Sequence, residues 1–170
     1  MTRVAVFSDS HNGEMHLERF ALLCEREAVD RVFFLGDVVE DARWLRRRLP
    51  EIPIDLVAGN CDMLSREARE TRVTIEGKRF LLVHGDKYGV KYGYTNLSYY
   101  AEENQMDAAL FGHTHSSYAA YVGNVLLINP GALCRGSLCL MEVTQKDIVP
   151  RILDVDGWYQ NQRLQEEEKQ

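Results

Sequence analysis

The sequence predicts a single α/β domain in which two β-sheets carry helices on their outer sides. Three observations lead there. Through roughly the first sixty residues, short apolar runs alternate with amphipathic stretches, the rhythm of parallel strand–helix units. Beyond residue 70, paired runs flank glycine-containing turns, which is the pattern of hairpins. The chain has 170 residues, 45% of them hydrophobic, and neither an internal repeat nor a linker. A single domain of that size buries roughly 70% of its unfolded surface, enough to hold a rigid site.

The elements follow in order. Arg3 to Ser8 is the first strand, because Val4-Ala5-Val6-Phe7 is a continuous apolar run. Glu14 to Ala28 spaces Leu17, Phe20, Leu23 and Cys24 among charged residues as an amphipathic helix does. Arg31 to Leu35 is the second strand, and Val38 to Leu49 the second helix, stopped by Pro50. Asp55 to Ala58 is the third strand. Arg72 to Glu76 and Arg79 to Val83 flank Gly77-Lys78, a glycine-first turn, and Tyr118 to Val122 and Val125 to Asn129 flank Gly123-Asn124. Between these hairpins, Thr95 to Gln105 reads as a helix and Asp107 to Phe111 as a buried strand. Ser137 to Val143 pairs with Asp147 to Val155, whose Pro150 suits an edge strand. The expected domain spans residues 1–158, and residues 159–170 form a polar tail.

Composition narrows the function. A net charge of -6 offers no broad basic surface, so neither long nucleic acid nor an anionic membrane is the expected partner; small phosphate esters stay open. The apolar stretch near the amino terminus is too short for a secretion signal, and no run approaches a membrane span. Cys24, Cys61, Cys134 and Cys139 contain no Cys-x-x-Cys pair, which favours free thiols in a cytoplasmic protein. The sequence leaves the oligomeric state open.

The chemistry lies at the ends of the apolar runs. Asp9 and His11 follow the first strand, Asp37 the second, Asn60 the third, His84 the run Phe80 to Val83, and His113 and His115 the run Ala108 to Phe111. Sites in open α/β sheets gather at the carboxyl ends of strands, so these residues are expected to converge. The spacing of two in Asp9/His11 and His113/His115 would put each pair on one side of extended backbone. Mixed carboxylate, imidazole and amide ligands suit intermediate divalent metals rather than thiolate zinc or all-oxygen calcium sites. Seven candidates exceed what one four-coordinate ion needs; two ions sharing a carboxylate would use them.

The ordered series Asp9-Ser10-His11, Gly36-Asp37, Gly59-Asn60-Cys61-Asp62, His84-Gly85 and Gly112-His113-Thr114-His115 resembles the calcineurin-like metallophosphoesterases, in particular their small bacterial and archaeal single-domain phosphodiesterases. That resemblance implies a four-layer αββα sandwich of two mixed β-sheets flanked by helices. It implies two divalent ions, manganese favoured and iron, zinc or nickel admitted. Asp9, His11, Asp37 and His115 would hold the first ion, Asp37, Asn60, His84 and His113 the second, with Asp37 as the bridge. A metal-bridging hydroxide would then attack phosphorus in line. Asp37, Asn60, Cys61 and His113 are the expected catalytic set, and Asp62 and Ser10 are expected to orient ligands.

The chain departs from the larger relatives at Cys61, where they carry histidine, and at Asp86, where many carry another. A thiol donates a proton less well than imidazolium, so good leaving groups, as in aryl or cyclic diesters, are expected. Phosphomonoester hydrolysis is the alternative within the enzyme class. Outside it stands a protein-binding scaffold, since a retromer subunit has this fold with a degraded site. His16 reads as structural, Arg43 and Arg46 to Arg48 as a solvated helix face, and the five tyrosines from Tyr88 to Tyr100 as a packed loop or a stacking surface. Arg135 is a weaker candidate for a phosphate contact.

Overall fold

The computed structural model describes residues 1–169. Its strands are β1 (Thr2–Phe7), β2 (Arg31–Phe34), β3 (Ile54–Leu56), β4 (Glu70–Ile75), β5 (Lys78–Val83), β6 (Ala108–Leu110), β7 (Tyr118–Val122), β8 (Val125–Asn129), β9 (Ser137–Val143) and β10 (Ile148–Asp154). The α-helices are α1 (Glu14–Arg26), α2 (Val39–Arg48), α3 (Thr95–Glu103) and α4 (Val155–Glu167).

Two mixed five-stranded sheets result. One has the order β10-β9-β1-β2-β3, with β1, β2 and β3 parallel. The other has the order β4-β5-β6-β8-β7, with β5, β6 and β8 parallel. Alternation along the strands divides the core into three clusters, and so the molecule into four layers. Ala5 and Phe7 of β1, with Val32 and Phe34 of β2, face α1 and α2. Val4, Val6 and Phe33 face the other way, against Phe80, Leu82 and Leu110 of the second sheet. Leu81 and Ala109, on the far side of that sheet, pack against Leu97 and Ala101 of α3. The expected αββα sandwich is therefore the observed one. Buried aromatic rings bind its layers: Phe7 lies 4.7 Å from Phe20, and Phe33 lies 6.0 Å from Phe80 across the sheet interface. Each such ring contributes about 1.5–3 kcal/mol when fully buried.

The first hairpin turns one residue earlier than expected. Ile75 pairs with Lys78, so the turn residues are Glu76 and Gly77, with φ of 52° and 82°. Positive φ at both central positions gives a turn whose twist matches its strands. The second hairpin turns at Gly123-Asn124 as expected, and Pro150 sits on the edge strand β10. The boundary expected between residues 158 and 159 falls inside α4. That helix docks on α1: Trp158 packs against the core, and Asp156 accepts from Arg19 and lies 3.1 Å from His16 Nε2. His16 thus has the structural role expected of it. Arg43 pairs with Glu40 of α2 and Arg48 with Glu25 of α1 on the helix surfaces, and Tyr88, Tyr94 and Tyr100 pack against the cluster around α3.

Candidate metal centre

The seven ligand candidates come from five loops that follow β1, β2, β3, β5 and β6, four of them from the first sheet and three from the second. Their backbone is unusual. Asp9, His11, Asp37, His113 and His115 all have positive φ, between 44° and 68°, and so do Asn12 at 59° and Val38 at 74°. Left-handed non-glycine residues cost about 1–3 kcal/mol each and collect where surrounding structure holds functional side chains in place. The extended geometry expected for the two spaced pairs is therefore corrected: the chain turns tightly within each. His115 stands with His11, their ring centroids 5.4 Å apart, whereas His113 stands with His84, at 5.0 Å.

Two groups of ligand atoms result, each within 4.8 Å: Asp9 with His11 and His115, and Asp9 with Asp37 and His84. Asp9 is common to both, whereas Asp37, expected as the shared ligand, falls only in the second, and His113, expected with it, stands outside both, its ring beside that of His84. Its Oδ2 accepts from the Ser8 hydroxyl at 2.7 Å and the His113 N–H at 3.0 Å. Its Oδ1 is buried and accepts no hydrogen bond, although His115 Nε2 stands 3.1 Å away and His11 Nε2 3.9 Å away. A fully buried carboxylate oxygen left without a donor is costly unless a cation meets it.

The second group makes the same demand. His84 is buried, and its Nδ1 lies 2.8 Å from the Leu35 carbonyl, which can only accept, so Nδ1 carries the proton. Nε2 then presents a lone pair toward Asn60 Oδ1 at 3.0 Å and Asp37 Oδ2 at 3.4 Å. Three acceptors converging on one point call for a proton or a metal ion. With Nε2 protonated instead, the His84 ring pairs with Asp37: burial alone would raise the Asp37 carboxyl, but that ring and the Cys61 N–H outweigh it and hold it well below the usual carboxylate range. For His84, burial disfavours the charged ring, but Asp37 outweighs burial and raises the ring's pKa. Burial, His84 and Lys91 together lower that of His113.

A backbone scaffold holds the ligands. Asp62 accepts from the N–H groups of Asp37, Val38, Val39 and Gly59 at 2.8–3.0 Å. Val38 occupies the N-cap of α2 without a side-chain cap, so Asp62 supplies the cap from 24 residues downstream and ties the Asp37 loop to the Asn60 loop. Ser10 does not bond a ligand as expected; its hydroxyl donates to buried Asp41, which also accepts from the Asn12 N–H and so holds the turn around His11. Asn129 donates to the Gly112 carbonyl and to Thr114 Oγ1, fixing the histidine loop. Arg69 donates to the Gly59 carbonyl and to Asp86, which places Asp86 as an anchor of the Asn60 loop. Glycine makes room beside both carboxylates: a Cβ on Gly59 would strike the Asp37 carboxylate, and one on Gly112 would strike Ser8 Oγ and Asp9 Oδ2. Ser8, Asp41 and Asn129 escaped the sequence reading, because their partners are set by packing and not by spacing.

Cys61 is exposed beside Asn60, with Asn60 Nδ2 3.7 Å from its sulfur, and burial together with the neighbouring Asp37 raises its pKa. It is a neutral thiol at neutral pH. Arg135 is exposed at the end of a short 3-10 turn, Leu133–Arg135, and makes no ion pair among the described residues.

The donor set fits divalent metal ions: carboxylate, amide oxygen and imidazole converge, one buried carboxylate oxygen is orphaned, and the backbone is held against strain. Comparison with known proteins agrees. The family model of the calcineurin-like phosphoesterase superfamily domain matches residues 2–146. A probable metallophosphoesterase of Bacillus subtilis, YsnB, is 34% identical over 131 residues, covering 76% of this chain and 74% of its own. The phosphodiesterase YfcE of Escherichia coli is 28% identical over 154 residues, covering 78% and 80%. Among solved structures, a predicted phosphoesterase of Streptococcus pneumoniae superposes with a TM-score of 0.75 at 22% identity, covering 91% of this chain and 90% of that one. With its fold, its convergent ligands and a match over most of its length, this chain belongs to the calcineurin-like phosphoesterase superfamily.

Proposed function

We propose that the protein is a metal-dependent phosphodiesterase working with two divalent ions, manganese favoured, on small phosphate esters. The observation that carries this reading is the pair of ligand groups meeting at Asp9, with Asp9 Oδ1 buried and without a donor. His11 and His115 would complete one ion's set with Asp9, and Asn60, His84 and His113 the other's, with Asp37 as the expected shared ligand. When bound, such ions supply an activated water and neutralise phosphoryl oxygens.

The chain's own residues do the rest. Ser8 and the His113 N–H fix the Asp9 carboxylate, and the Cys61 N–H fixes Asp37 Oδ1, leaving Oδ2 toward His84. The Leu35 carbonyl keeps the His84 proton on Nδ1, so that Nε2 serves as a ligand. Asp62 keeps the Asp37 and Asn60 loops in register. Cys61, a neutral thiol, stands beside the ester as a weak donor, which favours diesters with good leaving groups. The naming of YfcE as a phosphodiesterase supports the diester preference. A cytoplasmic setting belongs to the same reading, supported by four free cysteines; among the described residues no helix is long and apolar enough to cross a membrane.

The scaffold reading predicts decay of the site, whereas this chain keeps a residue able to ligate at each of the seven expected positions. The deciding measurement is metal content and turnover of bis(p-nitrophenyl) phosphate against p-nitrophenyl phosphate, with Asp37→Ala as control. Diester turnover that exceeds monoester turnover and vanishes in the control is expected. Wild-type protein with neither metal nor turnover would establish the scaffold instead.

A further inference from the structure

A cleft of about 760 Å³ opens beside Cys61, between the first turn of α2 and the loop that follows β3. Its apolar wall is made by Val38 and Val39 of the helix side and Met63 and Leu64 of the loop. Met63 is 85% exposed and Leu64 99% exposed. Two adjacent large apolar side chains held in water have no packing role, and apolar surface at the mouth of a polar centre is the usual composition of a ligand site. Val38 reaches this wall from a φ of 74°, a conformation costly for a β-branched residue, and Asp62 holds it there.

Charge decides what kind of ligand fits. Glu40 and Asp62 balance Arg43 and Arg66 along the lining, and Arg43 is already paired with Glu40 and Glu67, so the cleft does not select a second anion. A thioether and guanidinium groups favour an aromatic ring over an alkyl chain. The cleft also adjoins the metal centre: Cys61 lines it, donates its N–H to Asp37 Oδ1 at 2.9 Å, and touches Asn60 through its sulfur. A phosphoryl group seated at Asp37 and Asn60 therefore has one substituent next to the cleft mouth.

We propose that this cleft is the subsite for an uncharged aromatic arm of the phosphate ester, with Met63 and Leu64 as its specificity-determining residues. The inference rests on the phosphoesterase reading of the adjoining centre. Its test is calorimetric titration of manganese-loaded protein with phenylphosphonate and with methylphosphonate, which share the anionic head and differ in the arm. Wild type is expected to bind phenylphosphonate about tenfold more tightly, the usual return on filling an apolar pocket. Met63→Ser/Leu64→Ser should bring the ratio to about one while leaving the methylphosphonate affinity and the melting temperature unchanged, and Met63→Leu/Leu64→Met should restore the preference. Equal affinities in wild type, an undiminished ratio in the serine variant, or no binding of either phosphonate would each overturn the subsite. In the second case the exposed pair serves some other contact, such as a protein partner. A cleft-dependent preference in protein that hydrolyses no ester would sink the catalytic reading and leave the subsite standing.

Discussion

Asp62→Asn isolates the scaffold from the ligands, because Asp62 is not itself among the converging atoms. Oδ1 accepts from Val38 and Val39, and Oδ2 from Asp37 and Gly59. An amide has one oxygen, so whichever way it turns, one pair of N–H groups faces an NH2 donor. Two bonds to a charged acceptor are worth about 1.5–3 kcal/mol each. Asp62 is half-buried, so water recovers part of that, and a net loss of about 2–3 kcal/mol is expected. For a chain of this length the melting temperature should fall by about 5–10 °C, read by circular dichroism on metal-free protein. The lost pair sits between Asp37 and Asn60, so manganese affinity should also fall, by about 10–100-fold, in calorimetry. A variant that melts with wild type and binds manganese as tightly would refute the idea that Asp62 holds the two loops.

Four further outcomes are expected. Gly112→Ala places a methyl group against Ser8 Oγ and Asp9 Oδ2, and should lower diester turnover at least about 100-fold while melting below wild type; full activity would show that the Asp9 carboxylate is not held as tightly as described. Cys61→His should raise turnover on esters with poor leaving groups by about tenfold or more, since imidazolium is the better donor; unchanged rates would count against a donor role at this position. Chelation should lower the melting temperature, and free manganese at about 100 times its Kd should restore about 2.7 kcal/mol; indifference to manganese would argue against a metal site. Asp156 has its pKa lowered: burial opposes ionisation, but Arg19 and His16 outweigh it. Its carboxylate therefore stabilises the α1–α4 contact above the unfolded pKa of about 3.9 and ceases to as pH falls through the lower folded value. Urea titrations should show Asp156→Asn less stable than wild type at pH 7, by under about 1 kcal/mol because the group is one-third exposed, with the gap closing below about pH 4; a gap that widens on acidification would reverse the sign of the coupling.

The site was legible in the sequence where its cause was local. Each candidate ligand follows an apolar run, and a buried strand ends where the run ends, so positions such as Asp37 and His84 could be read from the order of residues alone. The geometry between ligands was not. Spacing of two suggested extended pairs, but Asp9, His11, His113 and His115 lie in the left-handed region, and the His-x-His pair divides its two rings between His11 and His84. Such backbone is imposed by tertiary hydrogen bonds, like those of Asp41 to Ser10 and Asn12, 29–31 residues apart, which no local pattern records. The same blindness explains the hairpin at Glu76-Gly77: Gly77-Lys78 is an acceptable turn, and cross-strand register chose the neighbouring one. It also explains the start of α4: the residues beyond 158 are solvated as expected, but Asp156 and Trp158, ahead of that boundary, already belong to the helix and meet α1 and its flank.

Because the first sheet supplies Asp9, His11, Asp37 and Asn60 and the second supplies His84, His113 and His115, the packed layer of Val6, Phe33, Phe80 and Ile128 between them sets the distance between the two half-sets. A slight sliding of one sheet over the other would part the two half-sets while every strand stayed paired. Hydrolysis should therefore fail before secondary structure does on heating, and Phe33→Ala, a cavity between the sheets, should register first as a lost reaction.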